Sequence, residues 1–342
     1  MLDAWATTTT QPGEAPGSAA AEQHLSAPPL RIVTQPMWVP FAKGHGTRND
    51  FVIFPDFDAT LELSPEQVQA ICDRRAGIGG DGVLRVVPAA KDADSVQYAD
   101  AAEWFMDYRN SDGSLAQMCG NGTRVFAHYL VTEGLVEPGL IPIATRGGVK
   151  RVWVHPLSSR ETGAVGSATT ELSMPQLGAA TEVQIGGVTL PATAVNVGNP
   201  HAVCVVTTPL NQFDLSIPPR YDAAIFPEGV NIELITPPRA ADSAPASACE
   251  TAWTVRMRVH ERGSGETYSC GSGAVAAAAV ALRTAQVETA SHIDPRRLPS
   301  GIVSVELPGG QLRVELTEST ALLTGAAVIV AKGECLLMGA GC

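Results

Sequence analysis

Short apolar stretches, each broken by glycine, proline or asparagine, alternate along this chain with two helical runs that open directly after a cysteine. The pattern starts near Arg31: Met37 to Phe41 reads as a strand leading into a Gly44-His45-Gly46 turn, and Asn49-Asp50-Phe51-Val52-Ile53-Phe54 as a strand with a polar pair at its mouth. Ser64-Pro65-Glu66 caps a helix through Cys72, a core position. The loop Gly77-Ile78-Gly79-Gly80-Asp81-Gly82 then yields to a strand from Val83 to Val87; with no Walker lysine and no helix after it, it reads as a tight turn lining a site. Trp104 to Tyr108 is a strand by composition. After it comes NSDGSLAQMCGNGTRVFAHYL, from Asn110 to Leu130, with Cys119 on a loop of small residues before a helix that Gly134 ends.

The second half repeats these signals. From Ile141 to Met174 short strands and turns carry no evident chemistry, and Val195 to Val206 reads as a strand interrupted by Gly198-Asn199-Pro200-His201. Phe226 to Asn231 gives a turn and a strand, Pro237 to Ser247 a Pro/Ala-rich surface loop, and Val255 to Glu261 a strand feeding ERGSGETYSCGSGAVAAAAVAL. Strands at Val303 to Leu307 and Leu323 to Ala331 close the chain. Asn199 stands against Asn49, Gly229 against Gly82 and Cys270 against Cys119, each about 150 residues on, so the order and spacing describe a duplicated unit. A pseudo-twofold axis between the copies would turn both cysteine loops toward one cleft.

The bulk numbers narrow the partners. A chain of 342 residues fits two domains, and 23 basic against 35 acidic residues, net charge −12, argue against nucleic acid and anionic membranes. The apolar run from Ala274 to Leu282 is far short of the ~20 residues that span a bilayer. Seven cysteines without a CxxC pair read as an intracellular thiol set, which makes the cytoplasm the expected location. Residues 1–30, rich in Thr, Ala, Pro and Gly and without a signal-peptide pattern, read as a disordered tail.

A thiol beside a helix N-terminus is lowered from about 8.5, so either cysteine is expected to ionise near pH 7. One thiolate and one thiol on opposite sides of a carbon can remove a proton from one face and return one to the other, which inverts the centre. Proton abstraction beside a carboxylate often recruits pyridoxal phosphate or a metal. Here four lysines occur, none in a cofactor-binding setting, and no HExxH or clustered His/Asp set is present, so no cofactor and no metal are expected. Gly120-Asn121-Gly122 and Gly271-Ser272-Gly273 instead offer N–H donors for a substrate carboxylate. His201 and Glu261, in the repeated loops, are the candidates for setting the protonation of the thiols.

NSDGSLAQMCGNG, GNPHAV, FPEGVN and ERGSGETYSCGSG, in that order, closely resemble the motifs of the diaminopimelate epimerases, and the resemblance runs from about Pro40 to Ala331. It implies a mixed α/β (α+β) fold of two pseudo-symmetric domains, each with strands around a central helix. Their spans here would be 31–174 and 175–320, with a final strand near 321–335 returning to the first. It implies Cys119 and Cys270 as catalytic acid and base, His201 and Glu261 as modulators of their pKa, and Asn49, Asn110, Asn199 and Asn231 as substrate ligands. Gly120, Asn121, Gly271 and Ser272 would receive a carboxylate, and Glu261 and Arg262 would face the distal end of diaminopimelate. The implied activity, within lysine and peptidoglycan precursor biosynthesis, is the cofactor-independent interconversion of LL- and meso-2,6-diaminopimelate.

Two positions depart from the family pattern: Gly82 stands where many members have a substrate-binding Gln, and Leu322 where some have a tyrosine at a homodimer interface. The tail has no recognised counterpart. Rival readings are another cofactor-free racemase or isomerase, of the proline racemase or phenazine-biosynthesis type, and a thiol protein in which the two cysteines form a redox or structural pair. Proline racemases carry different residues around their cysteines, and the phenazine-biosynthesis isomerases lack the cysteine pair. Two sulfurs flanking one carbon would also be open to oxidation to a disulfide.

Overall fold

The computed structural model describes residues 31–32, 36–156, 165–241, 252–289 and 298–338. The stretch 1–30, expected to be a disordered tail, and residues 242–247 of the Pro/Ala-rich loop lie outside the described residues. Three α-helices occur among the described residues: α1 (Pro65–Cys72), α2 (Gly120–Thr132) and α3 (Gly271–Thr289). Strands make up most of the remainder. No described helix is long and apolar enough to cross a membrane.

Local chemistry accounts for where the elements start. Ser64 caps α1 by accepting from the Gln67 N–H at 3.3 Å, while Gln67 Oε1 accepts from the Ser64 N–H at 2.8 Å, and Pro65 fills the first position. Cys72 is buried at its end. The first hairpin pairs Met37–Gly46 with Asn49–Pro55, and its turn is Thr47-Arg48, with φ of 51° and 63°, rather than Gly44-His45-Gly46. Those glycines lie inside the strand for another reason. A methyl group on Gly44 would sit 2.9 Å from Val125 Cγ1, and one on Gly46 would sit 3.1 Å from the Asn121 carbonyl, so glycine lets α2 cross close to the sheet.

One order of strands occurs twice. Asn49–Pro55 runs parallel to Gly82–Pro88, which pairs antiparallel with Trp104–Asn110, and α2 follows. Pro200–Val205 runs parallel to Asn231–Ile235, which pairs antiparallel with Ala252–Glu261, and α3 follows. The third strands end at Asn110 and Glu261, each nine positions before its cysteine. Val195 to Val206 is not one interrupted strand. Val188–Asn196 and Pro200–Val205 form a hairpin, because Gly198, at φ 89°, turns the chain back.

Each helix is the centre of its own core. Around α2, Phe51, Leu84, Met106 and Ile143 pack on Val125, Phe126 and Leu130. Around α3, Val203, Val259, Val303 and Leu323 pack on the run from Ala274 to Leu282. That run is apolar on every side because strands surround it, and its alanines let them approach. The last strand, Ala321–Leu337, pairs with Gly310–Leu316, with Met37–Gly46 and with Val165–Leu172, and so belongs to both sets of strands. Its Leu323, fully buried, lies under both helix starts: Cδ2 would be 3.5 Å from a methyl on Gly120 and 3.0 Å from one on Gly271.

A buried ion cluster fastens the strands behind α2. Arg85 meets Asp56 at 2.7 Å and Asp107 at 2.9 Å and also pairs with Asp92, while Arg146 reaches Asp107 at 2.7 Å. Burial alone would raise the Asp107 carboxyl, but Arg109, Arg85 and Arg146 outweigh it and hold it down to about 2.

Two outcomes follow for stability. Leu323→Ala should cost about 2–5 kcal/mol in urea unfolding, because the cavity opens where both helices start. The ionised Asp107 stabilises the fold above the unfolded-state value of about 3.9, and this is lost as pH falls toward 2. Asp107→Asn should lower stability at pH 7 by about 3–5 kcal/mol and flatten the acid limb of the stability curve, measured as urea midpoint against pH.

Candidate active site

Both cysteines sit at helix N-termini because the residues after them are small enough to let the first N–H groups turn toward sulfur. Cys119 caps α2 and accepts from the Gly122 N–H at 3.4 Å, and Cys270 accepts from the Gly273 N–H at 3.4 Å at the start of α3. The two starts meet: a methyl group on Gly271 would lie 3.7 Å from Gly120 Cα and from Asn121 Oδ1. Asn121 Nδ2 donates across the junction to the Ser269 carbonyl at 3.2 Å. Five cysteines, these two among them, are free thiols in the described residues.

Each thiol has its own polar surroundings. The Cys119 thiol donates to Asn49 Oδ1 at 3.5 Å, and the same oxygen accepts from Asn121 Nδ2 at 3.2 Å. Asn49 is oriented this way because its Nδ2 donates to Asp81 Oδ2 at 2.8 Å, and Asp81 is fixed in turn by Arg74 at 2.7 Å. Cys270 lies 3.6 Å from Ser272 Oγ and has Glu261 as a further partner. His201, fully buried, bridges Glu233 Oε1 at 2.7 Å and Asn199 Oδ1 at 3.0 Å. Glu233 closes against α3, its Oε1 falling 2.6 Å from where a methyl on Gly273 would stand.

The remaining candidates gather at the same strand ends. Asn231 pairs in register with His201, its Nδ2 donating to the Pro200 carbonyl at 3.3 Å and its Oδ1 accepting from the Arg262 N–H at 2.9 Å. Arg262 Nη1 donates to the Glu228 carbonyl at 2.8 Å, and its stem lies over Gly229, where any side chain would collide with it. Asn110 stands opposite Gly82, and its amide holds Ser114 of the cysteine loop at 3.0 Å.

Electrostatics overturn one expectation. The N-terminal N–H groups were expected to make a thiolate near pH 7, but burial pushes the Cys119 thiol up to about 11, with Glu261 adding to the rise and the Gly122 and Asn121 N–H groups and Arg124 opposing it. Cys270 is driven well above the ordinary thiol value by burial and by Glu261 and Glu233. Glu261 is itself raised by burial, against the hydrogen bonds from Thr267 and Cys270. One carboxyl thus acts on both sulfurs.

The model of the family described as diaminopimelate epimerase matches residues 41–170 and 193–334. The chain is 44% identical over 304 residues to the diaminopimelate epimerase of Mycolicibacterium smegmatis, covering 86% of this chain and 96% of that one. It is 45% identical over 299 residues to the diaminopimelate epimerase of Streptomyces coelicolor, covering 86% and 95%. This chain belongs to the diaminopimelate epimerase family. The fold also resembles a phenazine biosynthesis protein from Bacillus anthracis, with TM-score 0.56 and 17% identity over 87% of this chain and 99% of that one. A hydroxyproline epimerase from Agrobacterium vitis gives TM-score 0.56 and 12% identity over 88% and 93%. The mixed fold of strands around central helices is that of this wider group.

At Gly82, expected to stand where many family members have a glutamine, the backbone is crowded. A methyl group there would lie 2.5 Å from the Arg109 carbonyl and 2.8 Å from Tyr108 Cε2, so this backbone admits no side chain at 82. Glu233 and Asp81 join the site as residues not singled out along the chain. Glu233 had a signal, a carboxyl inside the otherwise apolar strand Asn231–Ile235, two positions from Asn231 and hence on its face. Asp81 had none beyond its glycine loop.

Without substrate added, both cysteines should alkylate slowly at pH 7, with the rate at Cys119 climbing toward pH 11. Glu261→Gln removes a negative charge that acts on both sulfurs, so both alkylation midpoints should fall, read by mass spectrometry of iodoacetamide-labelled peptides across pH. Unmoved midpoints at both cysteines would show that the carboxyl does not act on them.

Proposed function

We propose that this protein interconverts LL- and meso-2,6-diaminopimelate by a two-base mechanism in which one of Cys119 and Cys270 removes the α-proton from one face of the carbon and the other delivers its own proton to the opposite face. What supports the reading most is the pair of free cysteines capping two abutting helix starts, in a chain of the diaminopimelate epimerase family. One sulfur, as thiolate, takes the α-proton; the C–H electron pair delocalises into the carboxylate; the other sulfur, as thiol, donates its proton to the far face. The substrate carboxylate would lie against the N–H groups of Gly120-Asn121 and Gly271-Ser272, where helix-end dipoles favour the charge that builds there.

Because burial favours the thiol form at both sulfurs, one of them must give up its proton before it can act as base. Glu261, raised by the same burial and hydrogen-bonded with Cys270, is the base at hand, and the Asn199–His201–Glu233 chain stands behind it. Asn49, Asn110, Asn199 and Asn231 would hold the amino-acid ends of the substrate, and Glu261 with Arg262 would take the distal one. The reading calls on no cofactor or metal. The enzyme would work as a homodimer in the cytoplasm, where thiols stay reduced.

With LL-diaminopimelate in deuterated water, wild-type protein should wash deuterium into the α position as the meso form appears. Cys119→Ala and Cys270→Ala should each reduce epimerisation by roughly 100-fold or more. A wild-type protein that leaves the α position free of deuterium would overturn the proposal.

A further inference from the structure

Arg124 is the largest fully buried side chain among the described residues, and it sits one turn into α2 from Cys119. Its surroundings differ from those of the other buried guanidinium, Arg85, which meets three carboxylates. Arg124 has neutral acceptors: Nη2 donates to Asn121 Oδ1 at 2.6 Å and to Thr47 Oγ1 at 3.4 Å, and Nη1 donates to the Gly120 carbonyl at 3.1 Å. Its Nε has no partner among the described residues. A buried cation without a counter-ion is strongly unfavourable, so a fold that keeps one has a use for its charge.

The space around it is built for a guanidinium. A methyl group on Gly46 would stand 3.3 Å from Nη2, and one on Gly325 would stand 3.3 Å from Nε and Nη2 and 2.5 Å from Leu312 Cδ2. Its acceptors also join the two cysteine loops. Asn121, which it grips, donates to the Ser269 carbonyl at 3.2 Å, and Thr47 Oγ1 lies 2.8 Å from Ser269 Oγ, next to Cys270. Burial pulls the Arg124 guanidinium down to about 10, and the Cys119 sulfur is the ionisable group that opposes this.

We propose that Arg124 is a positioning residue of the reaction: the buried cation that stabilises the Cys119 thiolate and, through Asn121, holds the two cysteine loops in register. The proposal rests on the reading of Cys119 as one of the two acid–base thiols. Its counter-ion is the thiolate itself, formed when the sulfur gives up its proton in the cycle, and the neutral acceptors keep the guanidinium in place during the other half. Cys119 is faced by Arg124 from its own helix, by Glu261 from the strand Ala252–Glu261 and by Tyr108 from the strand Trp104–Asn110. Burial and Glu261 oppose ionisation of the sulfur; the Gly122 and Asn121 N–H groups and, more weakly, Arg124 favour it.

The test titrates the thiols directly, without substrate, so its failure would leave the epimerase reading standing. Alkylation by iodoacetamide is followed across pH at Cys119 and Cys270 in full-length protein, with circular dichroism to establish folding. Arg124→Gln should raise the Cys119 midpoint by about one pH unit, a roughly 10-fold slower reaction at fixed pH, and leave Cys270 in place. Arg124→Lys should restore it. A merely structural role predicts the opposite sign, because a loosened junction hydrates both sulfurs and lowers both midpoints.

Thr47→Asp covers the case in which Arg124→Gln does not fold. Position 47 has a positive φ that Asp tolerates, and a carboxylate there pairs with the guanidinium and cancels its charge at the sulfur, so the Cys119 midpoint should again rise. A midpoint at Cys119 that stays or falls in a folded Arg124→Gln or Thr47→Asp protein would overturn the proposal, as would a lysine variant that titrates like the glutamine one.

Discussion

A helix cannot start in a buried place unless its free N–H groups find partners, and here two helices start in one buried place, against each other. The beginnings of α2 and α3 touch through Gly120, Asn121 and Gly271. Each gives one N–H to a cysteine sulfur, at 3.4 Å in both cases. The other N–H groups of the first turns belong to the same junction, and helix-end dipoles there favour negative charge. The rest of the molecule serves this meeting. Two sets of strands of like order wrap the two helices, and the strand Ala321–Leu337 ties one to the other directly beneath the contact, with Leu323 as the plug.

Burial that brings the helix starts together also works against the chemistry, since it favours the neutral thiol at both cysteines. The site offsets this unequally. Cys119 has the neutral amide of Asn49, fixed by Asp81, and the positive charge of Arg124 one turn away. Cys270 has acidic neighbours, Glu261 and Glu233, of which Glu261 can share its proton. The two sulfurs are thus alike in backbone and unlike in charge, which suits the acid and base roles proposed for them.

Much of this was legible in the chain. The helix starts, both cysteines, His201 and the asparagines at the strand ends are set by neighbours a few positions away, and short-range chemistry marks them. The duplication was legible because spacing survives where similarity fades: Asn110 and Glu261 end equivalent strands at the same distance from their cysteines. Where the reading failed, a long-range contact had overruled a local signal. Gly44 and Gly46 look like turn residues, yet they lie in a strand because α2 passes over them, and the turn falls to Thr47-Arg48. The thiol acidity failed likewise, since a helix dipole can be read from sequence and the depth at which a sulfur is buried cannot.

By itself, the sequence determined the elements, the paired cysteine caps and the family, because capping, strand period and glycine placement act within a few residues. The tertiary structure alone decided which polar groups meet. Glu233 reaches His201 through the parallel register of two strands, Asp81 holds Asn49 from 32 residues away, and Asn121 finds Ser269 across 148. Arg124 is the sharpest case. In the chain it is one charged residue in a helix, and only the packing of two glycine-bearing strands around it turns it into a buried cation beside Cys119.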